Sequence, residues 1–183
     1  MDIALFRFIN GFAGSCTALD VLGIFFARGL IFVIALIPFY VLAREWWPTE
    51  KRVHAQRVLL QAIVAVAFGL ADNAIAGVLF FRERPFVALD AVNQLISAPL
   101  TAKSFPSDHA LIVGAIAMTV FLSWPKVGKW ALGAAGLVAL ARVYVGVHYV
   151  SDVVVGLLVG MAWAWIVHVF VHYRKHHKVK KVI

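Results

Sequence analysis

An all-α bundle of membrane-crossing helices is the fold this sequence predicts, and three observations predict it. Of the 183 residues, 63% are hydrophobic and only 14% charged, against about 45–50% and about 25% in soluble domains. The apolar residues fall into five stretches near the ~20 residues that a helix needs to cross a bilayer. Most Lys and Arg sit in short segments between those stretches. That placement explains the formal net charge of +8 without the continuous basic face that binds nucleic acid. Nucleic acid is thereby excluded as a partner, and membrane lipid is the expected surrounding. The whole chain, 1–183, reads as one integral membrane domain.

Residues 3–13 place Ile3, Leu5, Phe6, Phe8, Ile9 and Phe12 near helical spacing. They predict a short amphipathic helix lying at the membrane surface. Met1-Asp2-Ile3 lacks a basic n-region, so no cleavable signal is expected. The first span is predicted at about 20–43, with Arg28 in its outer half, and the second at about 57–81, with Asp72 and Asn73 inside it. The third runs from Ser107 to Trp124, the fourth covers about 128–146, and the fifth runs from Ser151 to Tyr173. Arg44, Lys51, Arg52 and Arg57 separate spans one and two. Lys126 and Lys129 separate three and four. Arg174, Lys175, Lys178, Lys180 and Lys181 follow span five. Five spans put these segments on one side, and their Lys/Arg excess makes that side cytoplasmic, with 174–183 as a basic cytoplasmic tail. Trp46, Trp47 and Trp124 fall where interfacial aromatic belts are expected. Cys16 is the single cysteine; it excludes a disulfide and a multi-cysteine metal site, and reads as a small packing residue.

Three polar clusters interrupt the apolar sequence: Arg84-Pro85, Phe105-Pro106-Ser107-Asp108-His109, and Arg142 with His148 and Asp152. All three fall at the non-cytoplasmic ends of the predicted spans, and charges in apolar sequence are costly enough to ask for a function. His148 and Asp152 are four apart and share a helix face. In such a pair the carboxylate orients the imidazole and leaves its other nitrogen free to attack. Arg142 and His148 are six apart, roughly 600° around a helix, and converge only if the helix breaks between them. Gly146 supplies the break. Ser107 reads as the start of a helix whose first N–H groups favour an anion, with His109 in that first turn as a general acid. Pro85 keeps Arg84 extended, so Arg82 and Arg84 point the same way. Their planar guanidinium groups suit phosphate. Asp72 and Asn73 lie roughly 18 Å along a helix before Arg84, and read as packing groups too deep for the site. Lys103 reads as a solvated loop charge that is also in reach of an anionic head group. His168, His172, His176 and His177 lie at the opposite end, and no metal site is read from them.

The clusters, in this order and spacing, resemble the type 2 phosphatidic acid phosphatase superfamily over roughly residues 72–160. That pattern is Lys-x6-Arg-Pro, then Pro-Ser-Gly-His, then Ser-Arg-x5-His-x3-Asp. This chain keeps Arg84-Pro85, Pro106-Ser107-x-His109 and Arg142-x5-His148-x3-Asp152. It departs at Gly77, where the pattern has lysine, at Asp108, where it has glycine, and at Ala141, where it has serine. Arg82 and Arg28 are left as replacements for the lysine. The Phe-Pro-Ser-Asp-His form, Arg-Pro-Phe and the opening Ala-Leu-Phe-x-x-Ile-Asn look most like the bacitracin-resistance branch of undecaprenyl-diphosphate phosphatases.

The resemblance implies a reaction without metal or other cofactor, on a polyprenyl diphosphate lipid. His148 is then the nucleophile that forms a phosphohistidine, His109 the acid and Asp152 the orienting carboxylate. Arg84, Arg142 and Ser107 bind the phosphate, with Arg82 and Arg28 as further candidates. It also implies a site on the outer face of a bacterial cytoplasmic membrane. Two alternatives use the same residues: another lipid phosphate, such as phosphatidylglycerophosphate or a lipid A phosphate, or anion binding without turnover.

Overall fold

The structure is a computed structural model that describes residues 1–44, 49–100 and 103–180. Its helices are α1 (Asp2–Asn10), α2 (Thr17–Arg28), α3 (Leu30–Arg44), α4 (Thr49–Leu79), α5 (Pro85–Ala88), α6 (Asp108–Ser123), α7 (Pro125–Tyr144) and α8 (Val150–Lys180). No strand occurs among the described residues. Pro85 and Pro125 open α5 and α7, where a missing N–H costs nothing. Trp46, Trp47 and Lys181 lie outside the described residues. Trp124 joins α6 to α7, with its ring edge-on to His54 at 5.6 Å.

Helix α6 is the axis of the bundle. It packs against α3, α4, α7 and α8. It is apolar all round, with Ala110, Leu111, Val113, Ala115, Ala117 and Val120 buried, the pattern of a helix enclosed by others. Its closest neighbour is α8, because glycines remove the side chains between them. A Cβ at Gly114 would lie 2.7 Å from the Leu157 carbonyl oxygen, and one at Gly156 2.6 Å from that of Ser107. Gly160, four residues on, leaves room for Leu111 and Ala115. Small residues at such spacing let membrane helices approach backbone to backbone. The result for the site is direct: the starts of α6 and α8 lie side by side.

Among the described residues, two helical segments are long and apolar enough to cross a membrane, Glu50–Leu79 and Val150–Tyr173. The first predicted span differs from expectation. It is not one rod but α2 and α3, bent by 46° at Gly29. Phe25 N···O contacts mark the end of α2: the Gly29 N–H bonds the Phe25 carbonyl at 2.7 Å, and the Phe25 ring fills the space a side chain at 29 would need. Phe32 N then bonds the Gly29 carbonyl in a tighter i→i+3 turn, and the axis changes there. Helix α6 is apolar but has only 16 residues, and α7 carries Lys126, Lys129 and Arg142 along its 20.

Helix α1 does more than lie on a surface. Ile3, Leu5, Phe8 and Phe12 are exposed, but Phe6 and Asn10 are buried. Phe6 packs on Tyr149 with ring centroids 5.5 Å apart. The Asn10 amide donates to the carbonyls of Asn93 (2.9 Å) and Tyr144 (2.8 Å) and accepts from Asn93 N (3.0 Å). It ties α1, the 89–100 loop and the end of α7 together. Cys16 is exposed rather than packed.

The α6–α8 seam predicts opposite responses to one added methyl. Gly160→Ala should lower the thermal midpoint in detergent, since overpacking costs about 1–3 kcal/mol. Gly133→Ala, with nothing within 4 Å, should be neutral or stabilising by up to about 1 kcal/mol. Equal responses would contradict the close approach.

Candidate active site

The site is built where α7 stops and α8 starts. Gly146 has φ +83°, a left-handed conformation that favours glycine. Gly146 N bonds the Val143 carbonyl (3.0 Å) and Val147 N bonds the Arg142 carbonyl (3.3 Å), the paired pattern that closes a helix through a left-handed glycine. The break expected at Gly146 is therefore present. Val145 and Val147 are fully buried beside Ala27, Ile96 and Ala141, which pins the turn. Arg142 and His148 end up within electrostatic reach of each other.

Helix α8 begins after Tyr149, which has no side chain suited to capping. Two carboxylates take over. Asp152, in the first turn, reaches back to Tyr149 N at 2.9 Å, as the third residue of a capping box does. Asp2 of α1 accepts from Ser151 N (3.0 Å) and Ser151 Oγ (2.6 Å). Both are also favoured by the positive end of α8. Burial pushes the Asp2 carboxyl up, but the Ser151 and Arg82 hydrogen bonds outweigh it and hold the group below its usual range.

Asp152 is fully buried, and its role differs from expectation. The closest approach to His148 Nδ1 is 3.7 Å, too long for a hydrogen bond. Asp152 accepts instead from Ser104 Oγ (2.5 Å) and Arg82 Nη1 (2.9 Å), besides Tyr149 N. The partner of His148 Nδ1 is the Ser104 carbonyl at 2.9 Å. A carbonyl only accepts, so Nδ1 carries a proton, and in the neutral ring Nε2 keeps its lone pair. The ring is oriented by Ser104, with Asp152 holding Ser104.

The Arg82 guanidinium lies 3.6 Å over the Tyr149 ring and bonds Asp152, Ser151 (2.8 Å) and Asp2 (2.8 Å). Arg82 is the strut under Asp152. Arg84, extended at φ −70°, ψ 153° before Pro85, is buried within reach of Asp108 and Asp152. Arg28 is exposed and donates to the Ser97 carbonyl at 3.1 Å, still within electrostatic reach of Arg142. His109 lies within reach of Arg142, His148, Asp108 and Arg84.

Ser107 occupies the N-cap position of α6 but makes no side-chain cap bond. Its N–H bonds the Asp152 carbonyl at 3.1 Å, while its buried Oγ has no partner among the described residues. Arg142 is buried, with only a 3.4 Å contact to the Ala27 carbonyl, and its Nε is unpartnered. No carboxylate pairs with it among the described residues. A buried cation without a paired carboxylate is costly. Arg84 and Arg28 lie within electrostatic reach of it, against Asp108 as the carboxylate in reach, a surplus of positive charge that an anion offsets.

Three contributors were not read from the sequence. Ser104 precedes the second motif, where its position alone carries no role. Asp2 lies about 150 positions from its partner. Asn73 was placed too deep; the chain turns back after α4, and its Nδ2 donates to the Pro106 carbonyl (3.1 Å) and Asp108 (2.5 Å). Asp72, by contrast, does meet a neighbouring helix, at Trp163 Nε1 (3.4 Å). Lys103 is not a solvated loop charge: it is partly buried and bonds Asp108 at 3.1 Å.

Fold and site together define an all-helical membrane protein with a buried histidine within electrostatic reach of two arginines. The chain belongs to the PAP2 superfamily, whose sequence profile matches residues 58–176. It is 34% identical to undecaprenyl-diphosphatase BcrC of Bacillus subtilis (strain 168), over 88% of this chain and 79% of that one. It is 33% identical to the bacitracin transport permease protein BcrC of Bacillus licheniformis, over 88% and 76%. The crystal structure of Aquifex aeolicus LpxE superposes with a TM-score of 0.72 at 26% identity, covering 91% of this chain and 93% of that one.

Burial pushes the His148 imidazole down to about 4; Asp152 opposes this, and Arg142 and Arg84 add to it. Because the folded value is below the ordinary ~6.5, the unfolded chain takes up the proton first. The stability tied to this group is then full above about pH 6.5 and is lost as pH falls. In 15N-histidine spectra, the signals missing from His148→Ala should show Nδ1–H with bare Nε2 at pH 7 and keep that form until near pH 4. Imidazolium signals at pH 6 would contradict the assignment.

Proposed function

We propose that this protein hydrolyses undecaprenyl diphosphate to undecaprenyl phosphate and inorganic phosphate, returning the lipid carrier of cell-wall synthesis to use. The observation that carries the reading is buried Arg142, with no carboxylate in ion-pair contact among the described residues, within electrostatic reach of a His148 ring held through Nδ1 by the Ser104 carbonyl. A pure anion-binding site has no need of an oriented nucleophile. The names of the relatives supply the lipid.

His148 Nε2 attacks the terminal phosphorus, and the bond from that phosphorus to the bridging oxygen breaks. The departing oxygen takes a proton from His109. Arg84, Arg142 and the N–H groups at the start of α6, with Ser107 Oγ, hold the phosphoryl oxygens; this electrostatic stabilisation is usually the largest contribution. Water then attacks the phosphohistidine while His109 accepts its proton, the P–N bond breaks, and the electron pair returns to Nε2. Arg82 and Asp152 act through Ser104 and the turn, and Arg28 through the 89–100 loop. No step calls for a metal.

In this reading the chain crosses the bacterial cytoplasmic membrane five times, with α2 and α3 forming one bent crossing. The basic 44–57 and 174–183 segments face the cytoplasm, and the site faces outward, with α1 packed over it at the interface.

The test is phosphate release by purified protein in detergent with EDTA, comparing undecaprenyl diphosphate, phosphatidylglycerophosphate and lipid A phosphates. Undecaprenyl diphosphate should be preferred. Terminal 32P label should appear on the protein as an acid-labile, base-stable adduct that His148→Ala abolishes. His109→Ala should lower kcat by about 10²–10⁴-fold. Turnover in His148→Ala would overturn the nucleophile, and preference for another lipid would overturn the substrate.

A further inference from the structure

We propose that Lys103 is a phosphate-binding cation of this site, delivered across Gly77 and held in reserve by Asp108. The proposal rests on the hydrolase reading for its substrate, the diphosphate head group. Four observations carry it.

Lys103 lies over α4 at Gly77. A Cβ at 77 would collide with Lys103 Cδ and lie 2.7 Å from Cε. Glycine inside a helix is destabilising relative to alanine, and Gly77 has no left-handed φ to justify it. Its visible use is to let this side chain through. Gly77 also stands where the motif has lysine, so the space is filled by a lysine from another position.

The Lys103 ammonium donates to the Pro106 carbonyl (3.0 Å) and Asp108 Oδ1 (3.1 Å). These acceptors flank Ser107, whose buried Oγ is unpartnered, and Asp108 lies within electrostatic reach of Arg84 and Arg142. The cation therefore stands at the rim of the place an anion completes.

Asn73 Nδ2 donates to the same two acceptors. Both stay satisfied if Lys103 leaves, so Lys103 is not needed to hold the start of α6. Finally, the Asp108 side chain is 49% exposed, and such an ion pair is weak. A phosphate dianion is the stronger partner. Until it arrives, Lys103 offsets a carboxylate that would otherwise repel it.

The probe is inorganic phosphate, with its Kd read from phosphate-dependent thermal stabilisation and its Ki from inhibition of turnover. Lys103→Met should raise phosphate Kd and Ki and lipid-diphosphate KM by about tenfold or more, the value of a charge-assisted hydrogen bond, with kcat within about threefold. Gly77→Ala, which displaces Lys103 without removing its charge, should act in the same direction. Asp108→Asn should act oppositely, tightening phosphate several-fold. Unchanged Kd and KM in Lys103→Met would overturn the proposal. So would a common loss of kcat and thermal midpoint in Lys103→Met and Asp108→Asn with phosphate affinity intact, the signature of a brace. A parent that binds phosphate in a Lys103-dependent way yet cleaves no lipid would support this proposal while sinking the hydrolase reading.

Discussion

The carboxylate of Asp152 is fully buried, and three groups converge on it to hold its negative charge. Arg82 supplies the opposite charge, and Ser104 Oγ and Tyr149 N supply short hydrogen bonds. Its backbone carbonyl also receives Ser107 N. The partners come from three parts of the molecule. Arg82 follows α4, Ser104 and Ser107 lead into α6, and Tyr149 follows the turn from α7. Removing one partner of such a buried pair costs far more than the pair contributes. The hub therefore fixes the relative placement of three chain segments and makes the His148 ring orientation a consequence of that placement.

The chemistry then follows from charge. The positive groups near the hub divide into two kinds. Arg82 is neutralised by Asp2 and Asp152, and stacked on Tyr149. Arg142 is buried with no carboxylate among the described residues. The first kind holds the scaffold and the second awaits an anion. Burial makes this separation effective, because charges interact more strongly in a low-dielectric interior than in water. Such a separation holds only on a scaffold that is rigid around the site. The glycine seam between α6 and α8 and the clasp of α1 supply that rigidity.

Much of this was legible in the sequence, and the limits are physical. Helical membrane character follows from composition, and the Arg142–Gly146–His148 break follows from helix periodicity plus chemistry, because both are local. The bend at Gly29 was not legible, since a glycine in a hydrophobic run reads equally well as part of a straight span. The His148–Asp152 pair was legible as a pair but not as a geometry. Four-residue spacing places two side chains on one face, yet the ring turns to a backbone carbonyl that spacing does not encode. Arg82 reads from its place beside Arg84 as a phosphate ligand, but Asp2 and Asp152 engage its guanidinium across the fold. Asp2, Ser104 and Asn73 act across the fold, and no local pattern marks them.

The most direct measurement is an experimental structure of the protein with orthovanadate, a mimic of the phosphoryl group in transfer. The account predicts a covalent-length Nε2–V contact at His148, with Nδ1 still on the Ser104 carbonyl, and vanadate oxygens on Arg84, Arg142 and the first N–H groups of α6. Vanadate bound through Nδ1, or seated on Arg82 with Asp152 released, would contradict it.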